Sequence, residues 1–289
     1  MSEGTPAAAV GIAGRRRPRY TPPAGACDTH CHVFGPAARF PYAQGRSYTP
    51  QDAPKEALAA LHVHLGLDRA VIVQASCHGT DNAAMLDAIA AAPVHRRGIA
   101  MVTGDVTDRE LEALHIGGVR GVRFNFVRHL GGRPDVQAMH RVVATMAPLG
   151  WHVVLHMDAH DIADLAPMMR ALAVPFVIDH MGRVEARLGP DQPAMTALLE
   201  LTKLERCWIK LSGAERISQP PFADAIPIAA RILQACPDRV LWGTDWPHPN
   251  MKSHMPDDGK LVDYLPRIAT TPGLQRKLLA DNPMRLYWA

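Results

Sequence analysis

Eight short apolar runs recur along the chain, at Ala26–Val33, Ala70–Ser76, Arg97–Val102, Val119–Phe126, Trp151–Met157, Pro175–His180, Cys207–Ser212 and Arg239–Thr244. Amphipathic stretches separate them, among them Pro54–Leu65, Asp81–Ala91, Asp108–Gly117, Asp135–Pro148, Asp161–Leu172 and Phe222–Cys236. A run that is apolar at successive positions, without alternation, is a strand buried on both faces, and the intervening helices supply the cover. Strand–helix alternation of this kind makes a parallel sheet, and eight units close it into a (β/α)8 TIM barrel; an open doubly wound sheet is the alternative. The first run lacks the G-x-G-x-x-G turn that a dinucleotide-binding sheet uses. The 289 residues suit one barrel, which takes about 250. Leu261–Tyr287 reads as helical and is expected to cap the barrel floor or close the ring. Residues 26–289 are therefore expected to form a single domain, and residues 1–25, rich in Ala, Gly, Pro and Arg, a flexible arm.

Composition narrows the partners. The formal net charge is +3 and the basic residues are scattered, so the basic stripe of a nucleic-acid-binding surface is missing. A mild positive bias suits an anionic substrate. Arg15-Arg16-Arg17 has the look of a twin-arginine export signal, yet Pro18-Arg19-Tyr20-Thr21-Pro22-Pro23 follows in place of an apolar segment. No apolar run reaches the roughly 18 residues of a membrane span. The cysteines (Cys27, Cys31, Cys77, Cys207, Cys236) lie in or near apolar segments without paired spacing. With no export signal they read as reduced thiols of a cytoplasmic protein. The sequence leaves a homo-oligomer open.

Chemistry in a barrel sits at the C-terminal ends of the strands. The first run ends Asp28-Thr29-His30-Cys31-His32, and residues two apart on a strand share a side, so His30 and His32 are expected to face one way, into the barrel mouth. The second reaches Ser76 and His78, the fourth carries Arg123 and Asn125, and the fifth ends His156-Met157-Asp158. The sixth ends Asp179-His180-Met181-Gly182-Arg183, the seventh runs into Glu215-Arg216, and the eighth ends Thr244-Asp245-Trp246-Pro247-His248. Each alone has a structural reading: a histidine at a strand end is often a hydrogen-bonded core residue, and an aspartate often caps the next helix. Together they carry chemistry. Imidazoles ligate Zn2+ or donate to a developing oxyanion, and Asp245 beside them can take a proton from water as general base. Either a metal ion or donor histidines would polarise a carbonyl and stabilise a tetrahedral intermediate. His30, His32, His180 and Asp245 are the expected catalytic residues. Arg123, Arg128, Arg183 and Arg216 lie near strand ends, where guanidinium forks would hold the carboxylates of an anionic substrate.

This order of residues resembles the amidohydrolase superfamily. Longer stretches, Asp28–Pro36, Val73–Asn82, Gly121–Phe126, Val177–Arg183, Trp242–Asn250 and Asn282–Tyr287, resemble within it the 2-pyrone-4,6-dicarboxylate lactonase family, from about Arg19 to the C-terminus. The resemblance implies a lactonase of aromatic-compound degradation that opens 2-pyrone-4,6-dicarboxylate to 4-oxalomesaconate. It implies that Asp245 activates water and that His30, His32 and His180 polarise the ester carbonyl. Arg123 and Arg216, with Arg183 nearby, would hold the carboxylates, and Tyr48, Ser76 and His78 would line the pocket.

Two positions depart from the family pattern. His156 stands on strand five in place of a tyrosine, and His129, one place after Arg128, in place of an arginine. His156 is then either a substrate contact or a ligand. In metal-bearing amidohydrolases the strand-five ligand is a histidine, so His30, His32, His156, His180 and Asp245 together can make a site for one Zn2+ or other divalent ion, which the named family is thought not to require. A zinc-dependent lactonase of sulfomuconolactone or muconolactone type is therefore a second reading, and a metal-dependent decarboxylase of the same superfamily a third. The strand-four lysine of binuclear members is replaced by Arg123 and Asn125, which speaks against two metals. A non-catalytic binding protein would need no water-activating carboxylate.

Overall fold

The computed structural model describes residues 14–130, 133–251 and 253–289. Its sheet has eight parallel strands in sequential order. They are β1 (Cys27–Cys31), β2 (Arg69–Val73), β3 (Arg96–Ala100), β4 (Val119–Asn125), β5 (His152–His156), β6 (Phe176–Ile178), β7 (Cys207–Lys210) and β8 (Val240–Leu241). The main helices are α1 (Lys55–Leu65), α2 (Ala83–Ala90), α3 (Asp108–Ile116), α4 (Val136–Met146), α5 (Ile162–Ala171), α6 (Pro193–Thr202), the short α7 (Ala214–Ile217) and α8 (Ala225–Ala235). Local chemistry sets several of their ends. Thr107 and Glu110 form a reciprocal capping box at the start of α3. Gly66 ends α1 in the left-handed conformation, φ 75°. Among the described residues, no helix is long and apolar enough to cross a membrane.

One apolar cluster fills the layer between sheet and helices. A second, including Cys27, Val71, Ile99, Val154, Val177, Trp208 and Leu241, fills the barrel itself, with Tyr287 entering from the floor. Alternation carries this inward set upward into chemistry: His156 follows Val154, Asp179 follows Val177 and Lys210 follows Trp208. β1 breaks the rule. Cys27 faces inward, and strict alternation would turn His30 and His32 outward. The register against β2 shifts between Asp28 and Cys31, and this bulge aims both histidines into the barrel.

The ring closes where β8 meets β1. β8 is shorter than the expected Arg239–Thr244, because the chain beyond Leu241 pairs irregularly with β1. Thr29 N–H donates to the Trp242 carbonyl at 2.9 Å, Asp245 N–H to that of His30 at 2.8 Å, and His32 N–H to that of Trp246 at 2.8 Å. Asp28 fastens the join: Oδ1 accepts the Thr244 and His30 amides at 3.0 and 3.1 Å, and Oδ2 accepts the Thr244 hydroxyl at 2.6 Å. A Cβ at Gly243 would stand 2.4 Å from the His30 nitrogen, so a side chain there would hold the two segments apart.

Of the arm expected over residues 1–25, residues 1–13 lie outside the described residues. The described part is fastened to the segment that holds Asp258 and Asp263. Arg15 pairs with Asp258 and Arg16 with Asp263, while the Arg19 and Tyr20 amides donate to Asp263 Oδ1 at 2.7 and 3.0 Å.

Candidate active site

Asp245 lies at the centre of the barrel mouth, with a left-handed backbone, φ 63°, that few residues with a side chain adopt. Its Oδ1 meets Nε2 of His32 at 3.3 Å, of His30 at 3.6 Å and of His180 at 3.9 Å. Its Oδ2 accepts Arg216 Nε at 2.7 Å. Each histidine is held from behind. His32 Nδ1 donates to the Val73 carbonyl at 2.8 Å, and His180 Nδ1 lies 3.0 Å from Ser212 Oγ. A Cβ at Gly213, itself at φ 72°, would come 2.6 Å from His180 Nδ1, so glycine there makes room for the ring. His30 Nδ1 faces Lys210 Nζ at 3.1 Å and Asp179 Oδ1 at 3.2 Å. Asp179 also accepts Arg123 Nε at 3.1 Å and lies 3.2 Å from Lys210 Nζ.

Burial works against charge throughout. At Asp245 it is overcome by the Arg216 guanidinium and the surrounding imidazoles, which hold the carboxyl well below its usual range. At Asp179 it is overcome by Lys210, His30 and Arg123 with the same result. Burial, reinforced by the Lys210 charge, lowers His30 to about 3. Burial also pulls His156 and His180 well below the ordinary histidine value. A fixed carboxylate thus stands among the neutral imidazoles of His30, His156 and His180.

Above Asp245 a cavity is lined by His32, Tyr48, Ser76, Arg123, His156, His180, Arg183 and Arg216, with His129 and Asn250 at its edge. Arg183 Nε pairs with Asp158 at 2.8 Å, and an Arg216 terminal nitrogen donates to the Pro249 carbonyl at 2.9 Å. Both ring nitrogens of His156 are buried and, among the described residues, without a hydrogen-bond partner. Two expected pocket residues are not in the cavity. His78 turns Nδ1 to the Pro41 carbonyl at 3.1 Å and packs on Tyr42, 4.8 Å between centroids. Arg128 is exposed, and its neighbour His129 faces the cavity instead. Both sit in single 3-10 turns, Ser76–His78 and Arg128–Leu130, where successive side chains diverge by about 120°.

Residues 27–288 match the family model of the amidohydrolases. The chain belongs to the amidohydrolase family. It is 47% identical to the 2-pyrone-4,6-dicarboxylate hydrolase of Comamonas testosteroni over 99% of this chain and 97% of that relative. It is 40% identical to the 4-sulfomuconolactone hydrolase of Hydrogenophaga intermedia, over 93% and 90% respectively. A crystal structure from Acinetobacter baumannii, described as a probable 2-pyrone-4,6-dicarboxylic acid hydrolase with citric acid bound, shares the fold with a TM-score of 0.81 at 28% identity, over 92% of this chain and 100% of that one.

This amidohydrolase offers donors for one metal ion. The ligand atoms of His30, His32 and Asp245 all lie within 4.8 Å of one another, as do those of His30, Asp179 and His180. Ligands on a tetrahedral zinc stand roughly 3.3 Å apart, so the 3.3 and 3.6 Å separations from Asp245 fit. His156 joins neither group; its ring stands edge-on to His180 with 5.3 Å between centroids. Of the expected five, His30, His32 and Asp245 thus stand together in one group, while His180 shares the other with His30 and Asp179.

Sequence reading missed the supports. Lys210 and Asp179 were visible as charges inside or just after apolar runs, and His248 lay in the motif around Asp245. Buried His248 bridges Glu215 and Asp258, each at 3.0 Å. Burial opposes its charge, but those two carboxylates raise it to about 10. Glu215 lies 3.8 Å from Arg216, so an ionic chain runs from Arg15 through Asp258, His248 and Glu215 to Arg216 and Asp245.

Proposed function

We propose that this amidohydrolase hydrolyses the cyclic ester of 2-pyrone-4,6-dicarboxylate to open-chain 4-oxalomesaconate in aromatic-compound degradation. The observation that carries the reading is a buried carboxylate ringed by imidazoles at the base of a cavity that also presents Arg123, Arg183 and Arg216. The guanidinium groups bind and orient the two substrate carboxylates. His30 and His180 donate to the ester carbonyl oxygen as it gains charge. His32, expected to do the same, donates from Nδ1 to Val73, so in its neutral form it presents a lone pair at Nε2. Asp245 Oδ1 and His32 Nε2 are then two acceptors 3.3 Å apart, and the proton taken from the attacking water comes to rest between them. The ring oxygen leaves as an enolate, which is stabilised by conjugation and needs little acid assistance. A divalent ion held by His30, His32, His180 and Asp245 would supply Lewis-acid polarisation of the carbonyl.

His156 favours a second reading, hydrolysis of a sulfonated muconolactone, since it stands where the dicarboxylate lactonase pattern has tyrosine. The five buried free cysteines support a reducing, cytoplasmic setting. The test is a spectrophotometric assay of pyrone loss, run on the protein as purified and after exhaustive chelation. Turnover in both samples supports dicarboxylate hydrolysis by the side chains alone. Turnover lost on chelation and restored by Zn2+ makes the ion part of the machinery. No turnover in either, with turnover of 4-sulfomuconolactone, replaces the first reading by the second.

A further inference from the structure

We propose that Lys210 is a positioning residue that fixes His30 as a hydrogen-bond donor at Nε2, so that the two histidines of the β1 motif hold opposite tautomers and the site favours an oxyanion over a metal ion. The catalytic consequence rests on the lactonase reading; the tautomer assignment does not.

Lys210 is fully buried on the inner face of β7, and its Nζ lies 3.1 Å from His30 Nδ1 in hydrogen-bonding geometry. A lysine ammonium donates and never accepts, so Nδ1 must accept. A neutral imidazole carries a single N–H, which then sits on Nε2. Asp179 Oδ1 is the competing partner, 3.2 Å from both Nδ1 and Nζ, and the contact between Nζ and Nδ1, at 3.1 Å, is the shorter. It balances the lysine charge without taking the ring proton. Among the described residues His30 Nε2 is itself buried and without a hydrogen-bond partner, 3.6 Å from Asp245. A buried donor without an acceptor is destabilising, a penalty relieved when a carbonyl oxygen arrives and most fully when that oxygen is an anion.

His32 is wired the other way. Its Nδ1 faces a carbonyl at 2.8 Å, which can only accept, so the proton stays on Nδ1 and the lone pair on Nε2. One histidine of the pair gives a hydrogen bond to the reaction centre and the other takes a proton from it. A metal ion asks for the lone pair at both. To ligate, His30 must move its proton to Nδ1, break the bond from Lys210 and donate to Asp179 instead.

The experiment is nitrogen-15 NMR of histidine-labelled full-length protein, with His30 assigned by its loss in His30→Gln. It is paired with calorimetric titration of Zn2+ into chelated wild type, Lys210→Met and Lys210→Arg. In wild type the His30 proton is expected on Nε2. In Lys210→Met it moves to Nδ1, the Zn2+ dissociation constant falls at least tenfold, and kcat drops about 100-fold with little change in KM, the scale of one lost oxyanion donor. Lys210→Arg, which keeps a donor, is expected to behave as wild type. A wild-type His30 protonated at Nδ1 overturns the proposal whatever the variants do, and so does a folded Lys210→Met with unchanged tautomer and zinc affinity. If the tautomer and zinc results hold while no lactone is turned over, the lactonase reading fails and the Lys210 assignment stands.

Discussion

Arg216→Met removes a guanidinium that both holds the base and faces the anion cavity. Three contacts go with it: Nε to Asp245 at 2.7 Å, a terminal nitrogen to the Pro249 carbonyl at 2.9 Å, and the pairing with Glu215 at 3.8 Å. Methionine keeps an extended apolar stem, so the change is one of charge and hydrogen bonding. A charged hydrogen bond to a substrate carboxylate contributes about 1.5–3 kcal/mol, and KM should rise about 10- to 150-fold. Asp245 also loses the guanidinium that, against burial, holds its carboxyl low. The acid limb of kcat should therefore move to higher pH. Initial rates of pyrone loss over a matrix of substrate concentration and pH measure both effects, with thermal melting to show that the variant is folded. An unchanged KM together with an unmoved acid limb would sink the placement of Arg216 between base and substrate.

Asp245→Asn is expected to lower kcat by about 10²–10⁴ while a non-hydrolysable dicarboxylate analogue still binds within a few-fold of wild type by calorimetry. Full activity would remove Asp245 as the base. In wild type, His30 near 3 and a depressed Asp245 keep the base ionised and the donor neutral down to low pH. So neither His30 nor Asp245 should place a limb in kcat/KM within the ordinary histidine range, and a limb centred near 6.5 that vanishes in His30→Gln contradicts this. His248 is raised from 6.5 to about 10, so its pairing contributes stability in full below 6.5 and loses it progressively as pH rises to about 10. Wild-type melting temperature should decline across that window more steeply than in His248→Asn; parallel profiles in the two proteins would count against the pairing.

The barrel was legible because most strands carry a short apolar run, such as Ala70–Val73, Val153–Leu155 and Phe176–Ile178, a signal that survives without knowledge of neighbours. The shared side of His30 and His32 was legible for the same local reason. That they face the barrel mouth was expected from their place at a strand end; the bulge at Asp28–Cys31 that turns them inward was not legible, since it exists only against β2. His78 and Arg128 looked right by spacing, but in a 3-10 turn neighbouring side chains diverge, so Ser76 faces the cavity without His78, and His129 faces it in place of Arg128. Lys210 reads along the chain as a polar end to an apolar run. Only the closed ring shows that it points inward, beneath His30 and beside Asp179.

Asp28 binds Thr244 directly beneath the point where His30 and Asp245 meet. The base belongs to one lip of this join and two of the histidines to the other. A local parting there pulls the reacting groups away from each other while the other seven strand pairings are still intact. Heat should therefore silence the enzyme before it melts the fold. Reinforcing the outer helices would raise the temperature at which the chain unfolds and leave the temperature at which it stops working where it was.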